Sequence, residues 1–533
     1  MIHDNINQYI QNVFPIYLLN LQDMKLVRRS TVGRDLSHDI TEYIQAHEDS
    51  IMNLDKNPTL YLTESSQVLQ DLAIETKTWI AQKTAYAIFS HRWLDMGELT
   101  FQDISKFESL SVHGFRMLID HKSGRKILRG TDILDQVNAY SAENPKTRYD
   151  RLKLLEVMKE LCGDMSDVER RDCQDFVKLV EFFNISSKYG CNYVWFDSGC
   201  IDKNSSTELE ESIRSMFDWY RNSEICIVHL AHTANFWALG QDPWFTRGWT
   251  LQELLAPKKI KFFGKSWQHI TLDSTDNDKD LDADQFNVNL WGVISETTNI
   301  RLRTLFDFTP GINHAGDALV WVSKRKTTRT EDIAYCLIGL LSIPFSIAYG
   351  EGNMAFRRLQ VEILQHSHDM GLFAWVGQPS AYNSMLAEGP QCFSESSFQS
   401  HLLQPLPMPK SQAVTVFDPT SAFTNYGLRI PLSIYTVLDW EVLHAPSFRF
   451  RLRTEKLGSI QAQFIVESPP NLEDYDHLKI AILVDLVATE PSASTAILLG
   501  YKGGRYKRIP TKEHIIVLSR PTEPTAPEMI FIE

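Results

Sequence analysis

The sequence lacks a long hydrophobic run, a paired cysteine motif and a basic leader, and each absence excludes a class of protein. No apolar stretch approaches the roughly 20 residues that a membrane-spanning helix needs, so we expect no membrane association. The N-terminus has no basic segment followed by an apolar one, which argues against a signal peptide. The seven cysteines are odd in number and form no Cys-x-x-Cys pair, which favours a reducing compartment. These features together predict a cytoplasmic protein.

Basic residues are also in deficit. The chain has 53 basic and 67 acidic residues and a formal net charge of −14. A general nucleic-acid binder needs a basic face, so no nucleic-acid partner is expected. Hydrophobic residues at 43% and charged residues at 23% are typical of a globular protein. Because 533 residues are too many for one ordinary core, we expect about two to four domains.

Apolar segments typical of strands alternate with amphipathic segments typical of helices in the first half of the chain. The predicted strands are residues 84–93, 191–197, 224–230 and 259–264. The predicted helices are residues 173–190, 207–223 and 249–256. Thr207 and Glu210 have the spacing of a capping box at the start of the second helix. Such alternation indicates βαβ crossovers and a parallel sheet, in which ligands bind outside the carboxyl ends of the strands.

Changes in composition divide the chain into four predicted regions. A mainly helical leader with one strand candidate precedes an α/β domain that contains a polar insertion at about 105–165. An acidic loop and a helical extension follow, and after Pro405 the alternating pattern is typical of a β-rich domain. The predicted regions are 1–83, 84–270, 271–377 and 400–533.

Three blocks of sequence, in this order, resemble the heterokaryon-incompatibility (HET) domain of fungal proteins. They are YAIFSHRW, YVWFDSGCIDKNSSTELEESIRSMFDWYRNSEICIVHL and WFTRGWTLQELLAPKKIKFF. A further block, RKTTRTEDIAYCLIGLLSIPFSIAYGEGNMAFRRLQVEIL, is similar to the segment that commonly follows that domain. The resemblance covers about residues 84–375 and implies self/non-self recognition that leads to programmed cell death.

The HET domain is in turn distantly similar to TIR domains, many of which cleave the nicotinamide–ribose bond of NAD. This implies a TIR/flavodoxin-like α/β fold, a parallel sheet with flanking helices, followed here by the helical extension and the C-terminal β-rich domain. The TIR motif S-x-W-C-x-x-E-L resembles RGWTLQEL, which aligns Trp249 with its tryptophan and Glu253 with its catalytic glutamate. Thr250 stands in place of the cysteine. NAD is then the expected substrate, with no prosthetic group.

Glu253 is the predicted catalytic residue because cleavage of an N-glycosidic bond passes through a cationic ribose. A nearby carboxylate stabilises that cation and can hold the ribose hydroxyls. Trp249 lies four residues earlier on the same helical face and is either a stacking wall for nicotinamide or a core residue. The alternative for Glu253 is a solvated carboxylate paired with Lys258 or Lys259.

Polar residues at the end of the second predicted strand are candidates for ligand binding. Asp197 and Asp202 would orient a ribose or a basic partner, and Lys203 would contact a phosphate. The alternative is structural, because an aspartate after a parallel strand often caps loop amides or the next helix. Cys200, between the two aspartates, is interpreted as a packing residue because no histidine lies nearby in sequence.

Ser90, Arg92 and Trp93 end the first predicted strand and are further candidates for nucleotide binding. A serine and an arginine in this position can bind pyrophosphate through hydrogen bonds and charge. His91 is interpreted as a structural histidine. No glycine-rich loop follows the strand, so neither a dinucleotide fingerprint nor a P-loop is present. Arg247 would pair with Asp197, contact a ligand phosphate or form another internal ion pair.

No metal site is expected. The acidic run at 276–287 has the first ligands of a calcium loop, but Leu281 replaces its glycine and Asn287 its last glutamate. Cys226, His229 and His232 have a ligand-like spacing, yet the positions of Cys226 and His229 in a strand direct these two to opposite faces.

Two non-enzymatic alternatives remain open at the level of sequence. The same fold could be a homotypic oligomerisation and signalling module, or a nucleotide sensor that binds without turnover. A protein partner or self-association is expected in each case. Glu253 is the feature that separates the enzyme from an adaptor, because a pure adaptor does not need this carboxylate.

Overall fold

The structure is a computed structural model. It describes residues 14–39, 82–95, 97–110, 130–143, 154–270, 279, 288–367, 369–394, 403–404, 421–444, 449–463, 472–486, 493–517 and 527–533. Contacts divide the chain into two compact units. The first comprises Met1–Trp244 and Glu253–Val293, and the second comprises Phe245–Gln252 and Ile294–Glu533. The predicted domain limits stay predictions.

The first unit contains a six-stranded sheet. Its strands are β1 (Tyr17–Asn20), β2 (Lys25–Arg28), β3 (Tyr86–His91), β4 (Tyr193–Trp195), β5 (Ile225–His229) and β6 (Ile260–Phe263). Their order is β2-β1-β4-β3-β5-β6. The last four strands in this order are parallel, as the alternation of strands and helices predicted.

The sheet as a whole is mixed, which corrects the expectation of a parallel sheet. β1 and β2 form an antiparallel pair, and β1 also pairs antiparallel with β4 through Leu19 and Val194. The predicted strand of the leader therefore covers an edge that β4 would otherwise expose. Residues 29–39, after β2, are helical.

Helices connect and cover these strands. They are α1 (Phe101–Ser105), α2 (Gly130–Glu143), α3 (Leu154–Asp164), α4 (Asp167–Asp172), α5 (Gln174–Lys188), α6 (Asp197–Cys200), α7 (Ser206–Asn222) and α8 (Thr250–Leu255). Short 3₁₀ turns occupy Lys106–Ser109, Phe236–Gln241 and Pro243–Thr246. Ser205 caps α7 by accepting a hydrogen bond from the Glu208 amide, so the cap lies two residues before the predicted one.

The two faces of β3 pack against different helices. Phe89 stacks on Phe182 of α5 with ring centroids 4.4 Å apart. On the α7 side, the Tyr220 hydroxyl donates to the Phe89 carbonyl over 2.9 Å. Because side chains alternate along a strand, Ser90 and His91 must point to opposite faces of the sheet. This alternation separates the two polar clusters that surround the end of β3.

Helices dominate the chain from residue 288 to residue 373. They are α9 (Val288–Thr298), α10 (Leu302–Phe306), α11 (Ala315–Val322), α12 (Asp332–Tyr335), α13 (Ile338–Leu341) and α14 (Met354–His366). Further 3₁₀ turns lie at Ile312–His314, Met370–Phe373, Pro390–Phe393 and Leu472–Asp474.

The C-terminal part is β-rich, as predicted. Its strands are β7 (Pro379–Ser380), β8 (Asn383–Ala387), β9 (Leu403–Gln404), β10 (Ala422–Thr424), β11 (Gly427–His444), β12 (Arg449–Thr454), β13 (Gly458–Gln463), β14 (His477–Leu486), β15 (Ala493–Lys502), β16 (Arg505–Ile509), β17 (Ile515–Val517) and β18 (Glu528–Ile532).

The long strand β11 bends the larger sheet into a closed ring. Its first part pairs with β18, and its middle, from Ser433 to Thr436, pairs with β14. Since β18, β16, β15 and β14 are consecutive neighbours, five strands close on themselves around an apolar core that includes Ile480 and Leu498. Closure removes exposed strand edges, and no sequence periodicity had indicated it.

Candidate functional site

Ser90, the next-to-last residue of β3, joins two residues from distant parts of the chain. Its hydroxyl donates a 2.5 Å hydrogen bond to Glu253 Oε2 and accepts a 2.8 Å bond from Trp244 Nε1. Ser90 and Trp244 are fully buried, and Glu253 is 8% exposed. The predicted catalytic carboxylate therefore lies at the carboxyl end of β3, covered by a serine and an indole.

Contacts on both sides of Glu253 hold α8 in place. The Lys279 ammonium donates a 2.9 Å hydrogen bond to the Leu255 carbonyl at the end of the helix, and burial lowers the pKa of Lys279 to about 7. The Cys226 thiol of β5 donates to the Glu253 carbonyl over 3.9 Å. Burial and the nearby Glu253 charge raise the pKa of Cys226, which suits a packing role rather than a nucleophile.

Lys258 and Lys259, the alternative partners predicted for Glu253, lie in exposed or half-exposed positions. Lys259 Nζ lies 3.3 Å from Glu224 Oε1 in an exposed ion pair. Lys258 is exposed. Glu253 instead receives its hydrogen bond from Ser90.

A cavity of about 350 Å³ opens beyond the carboxyl ends of β3 and β5. The chain leaves β3 toward β4 on one side of the sheet and later returns to β5 on the other, so the strand order reverses between β3 and β5. Such a reversal is where doubly wound sheets bind ligands. The lining includes two predicted residues, Arg92 and Trp93, and three that were not predicted, Arg171, His232 and Lys265.

Trp93, at the wall of this cavity, contacts two more of the predicted residues. Its indole Nε1 donates to Asp197 Oδ2 over 2.8 Å, and Lys203 Nζ lies 3.7 Å from the ring centroid. Asp202 is not part of this group, because it accepts hydrogen bonds from Gln102 Nε2 and from the Asn204 amide. The carboxyl end of β4 thus meets the wall of the cavity through Trp93.

A buried ion pair that the sequence interpretation missed lies on the α5 side of β3. Lys178 donates to Glu98 Oε1, which also accepts the Leu94 amide over 2.8 Å, and both charged side chains are at most 3% exposed. Burial raises the pKa of Glu98 and lowers that of Lys178, and each charge opposes the shift of the other. His91 Nε2 lies 3.8 Å from the same carboxylate oxygen. One signal was available: Lys178 shares a helix face with the buried Phe182.

His229 ends β5 on this same side of the sheet. Its ring stacks on Trp267 with centroids 4.3 Å apart and planes 6° from parallel. Burial, assisted by the charge of Lys178, lowers the pKa of His229 to about 3. The imidazole is therefore neutral at ordinary pH. Trp267 takes a φ of 62°, an unusual value for a large side chain, which places its ring against the histidine.

Arg247 and Trp249, two of the predicted ligand-binding residues, belong to the second unit. The Arg247 carbonyl accepts a 2.8 Å hydrogen bond from Arg325 Nη1. The Trp249 side chain donates a hydrogen bond to the Asp332 carboxylate. Burial raises the pKa of Asp332, and this hydrogen bond acts in the opposite direction. Both residues are thus built into a hydrogen-bonded network of that unit.

Among the described residues, no group of three histidine, cysteine, aspartate or glutamate side chains could hold a metal ion. Within the same part of the chain, no helix is both long and apolar enough to cross a bilayer. The acidic run at 276–287 lies outside the described residues except for Lys279.

Comparisons with known proteins identify the class of domain. Residues 167–237 match the model of the family described as heterokaryon incompatibility protein (HET). The vegetative incompatibility protein HET-E-1 of Podospora anserina is 36% identical over 186 residues, which are 33% of this chain and 13% of that protein. No solved structure gives a significant match. The matched residues therefore belong to a heterokaryon-incompatibility (HET) domain, as the resemblance predicted.

The family match covers only part of the candidate site. It includes α5, β4 and β5, and with them Lys178, Asp197 and Lys203. Ser90 and Glu253 lie outside the matched residues. The match spans 13% of the length of the Podospora protein, so the activity and partners of the present chain do not follow from it.

Proposed function

We propose that this chain is an effector of self/non-self recognition whose HET domain triggers programmed cell death by hydrolysing NAD. The observation that carries the proposal is the position of Glu253. Its carboxylate is held by Ser90 at the carboxyl end of β3, the same strand end that leads through Arg92 and Trp93 into the cavity. One residue, His91, separates Ser90 from Arg92, so their Cα atoms are at most about 7 Å apart.

The strand order supports the relationship to TIR domains on which the reaction depends. Numbered along the chain, the four parallel strands stand in the order second, first, third, fourth. This order is the one found in flavodoxin-like sheets. Glu253 follows the third of these strands, β5, and therefore has a place near the reversal of strand order where ligands bind.

In the proposed reaction, the bond between ribose C1′ and the nicotinamide nitrogen breaks. Its electron pair leaves with nicotinamide, which becomes neutral, and a positive charge develops on the ribose. Glu253 stabilises this charge electrostatically. Water then adds to C1′ and releases a proton, giving ADP-ribose. No oxidant, metal or prosthetic group enters this balance.

Under this proposal, turnover needs an activating change. Glu253 is 8% exposed, and Ser90 and Trp244 cover it. A ribose can reach the carboxylate only if these two side chains move or exchange their hydrogen bonds for bonds to the substrate. We therefore assign the conformation described here to a resting state, and assembly of several copies or a protein partner would supply the change.

Nicotinamide release by the purified full chain tests the proposal. The protein is assayed with NAD over a range of protein concentrations, with a crowding agent, beside Glu253→Gln and Glu210→Gln. Glu210, a half-buried glutamate of α7 that pairs with Arg214 away from the cavity, is the matched control. We expect Glu253→Gln to lower the rate by about 10²–10³ and Glu210→Gln to leave it unchanged. Equal rates in the wild type and Glu253→Gln would refute catalysis by this carboxylate.

One observation favours a second candidate, a homotypic signalling module without turnover. Trp237 is 87% exposed, on the 3₁₀ turn after β5, and its ring lies 5.7 Å from that of Phe236. Aromatic side chains exposed to this extent are common at protein interfaces. Under this candidate, signalling would survive Glu253→Gln and depend on Trp237.

A further inference from the structure

Three cationic side chains line the cavity at the reversal of strand order. Arg92 follows β3, Arg171 lies in α4 just before α5, and Lys265 follows β6. These residues are far apart in sequence and meet only because the sheet places the carboxyl ends of its strands side by side. Three carboxylates, those of Asp95, Asp172 and Asp175, line the same cavity, so its formal charges balance and anion binding depends on which cations are already paired.

Two of the three carboxylates have partners. Asp95 Oδ1 lies 3.3 Å from Arg92 Nη2, so these two charges form an ion pair with each other. Asp175 Oδ1 accepts the Gly130 amide over 3.2 Å. Within the described part of the chain, the Arg171 guanidinium and the Lys265 ammonium make no hydrogen bond or ion pair. Arg171 and Lys265 therefore remain available to an anionic ligand, although the three cations and three carboxylates of the lining give the cavity no net formal charge.

The size of the cavity limits what these two cations can bind. At about 350 Å³ it is at the small end of ligand sites, which run from about 300 to 1,000 Å³. That volume suits phosphoryl groups with one ribose rather than a whole dinucleotide. Trp93, 37% exposed at its wall, offers an aromatic surface to the remainder of such a ligand.

We propose that this cavity is the pyrophosphate subsite of the nucleotide, with Arg171 and Lys265 as the residues that bind it. The proposal rests on the proposed function for the identity of the nucleotide. Guanidinium and ammonium groups form strong, charge-assisted hydrogen bonds with phosphate oxygens. A pyrophosphate held here lies at the same strand end as Ser90, and under this proposal the ribose next to nicotinamide reaches past that strand end to Glu253, which does not itself line the cavity.

Calorimetric titration with ADP-ribose tests this subsite without any turnover, because the probe retains the pyrophosphate and lacks the bond that is cleaved. The full chain is compared with Arg171→Gln and Lys265→Gln. Arg214→Gln and Lys258→Gln, which change exposed cations outside the cavity, are matched controls. We expect each cavity variant to raise Kd about tenfold or more and the controls to change it less than twofold. Affinity should also fall with added salt.

The outcomes separate this proposal from the proposed function. If no NAD is cleaved but ADP-ribose binding depends on Arg171 and Lys265, the subsite stands and the protein is a nucleotide sensor. If the cavity variants bind ADP-ribose as the wild type does, or if the wild type fails to bind it at millimolar concentration, the subsite is refuted even where NAD is cleaved. All four replaced side chains are solvent-accessible, and circular dichroism checks that each variant is folded.

Discussion

Ser90 and Glu253 are 163 positions apart in the chain, yet the serine hydroxyl donates a 2.5 Å hydrogen bond to the glutamate carboxylate. The same hydroxyl accepts the Trp244 indole N–H, so one small residue at the end of β3 fixes both neighbours. The relationship makes Ser90 a positioning residue for Glu253. It also means that the carboxylate cannot be uncovered without changing the contacts of Ser90.

Replacement of Ser90 by alanine should destabilise the protein because a buried carboxylate and a buried indole both lose a partner. We expect the free energy of unfolding to fall by about 1–3 kcal/mol, measured by urea titration. Ser198→Ala is the matched control: Ser198 is also buried, but its hydroxyl has no hydrogen-bond partner among the described residues. Equal losses in the two variants would show that the Ser90 network contributes nothing specific.

The Glu98–Lys178 pair should behave as a unit. Lys178→Met leaves a buried carboxylate without its cation, and breaking a buried pair in this way costs about 3–5 kcal/mol. The double variant Glu98→Gln/Lys178→Met should recover most of that loss, because the glutamine carbonyl can still accept the Leu94 amide. A double-mutant cycle measures the coupling. Additive losses would contradict direct pairing.

Local pattern explains which parts of the fold could be predicted. The four parallel strands and their helices follow from apolar periodicity, and the edge at which ligands bind follows from the crossover rule. The cap of α7 was misplaced because Ser205 with Glu208 and Thr207 with Glu210 have the same spacing, and only the observed helix start distinguishes them. The antiparallel strands of the leader and the closed ring depend on pairing between distant segments, which no local pattern specifies.

The candidate site shows the same division. A motif that lies on one helix, such as WTLQEL with its glutamate Glu253, can be recognised in the sequence. The cavity cannot, because Arg171 and Lys265 come from separate connections and meet only through the strand order. Lys178 gave a detectable signal as a charge among apolar positions of α5, but its partner Glu98 lies in an irregular segment.

The stability of the protein should decrease with acidification through His229. Its folded-state pKa is about 3, below its ordinary value of 6.5, so protons bind the unfolded state preferentially between these values. The stability that the neutral His229 contributes above pH 6.5 is therefore lost as the pH falls toward 3. From pH 7 to pH 5 we expect His229 to account for a loss of about 2 kcal/mol.

His229→Phe tests this origin because phenylalanine keeps an aromatic ring against Trp267 and cannot be protonated. Urea titrations at pH 7 and pH 5 should show a smaller loss in this variant by about 2 kcal/mol. His232→Gln changes an exposed histidine of the same unit and should keep the wild-type dependence. The idea fails if His229→Phe and the wild type lose the same stability on acidification.

Trp237 should contribute to self-association rather than to folding. Its side chain is 87% exposed, so Trp237→Ser removes almost no buried area and should leave the urea midpoint unchanged. If copies of the chain assemble through this turn, the variant should elute later in size-exclusion chromatography at high concentration. Tyr382→Ser, which changes another exposed aromatic residue, serves as the control. Identical elution of the wild type and Trp237→Ser at all concentrations would remove Trp237 from the interface.

The most direct measurement of the central claim follows NAD content and cell viability together in cells that express the wild type, Glu253→Gln or Glu210→Gln at equal protein levels. Glutamine keeps the size of the Glu253 side chain and removes its negative charge, which is the property that stabilises a ribosyl cation. We expect the wild type and Glu210→Gln to deplete NAD before the cells die, and cells with Glu253→Gln to retain NAD and survive. Death of the Glu253→Gln cells at the wild-type rate with NAD intact would contradict the claim.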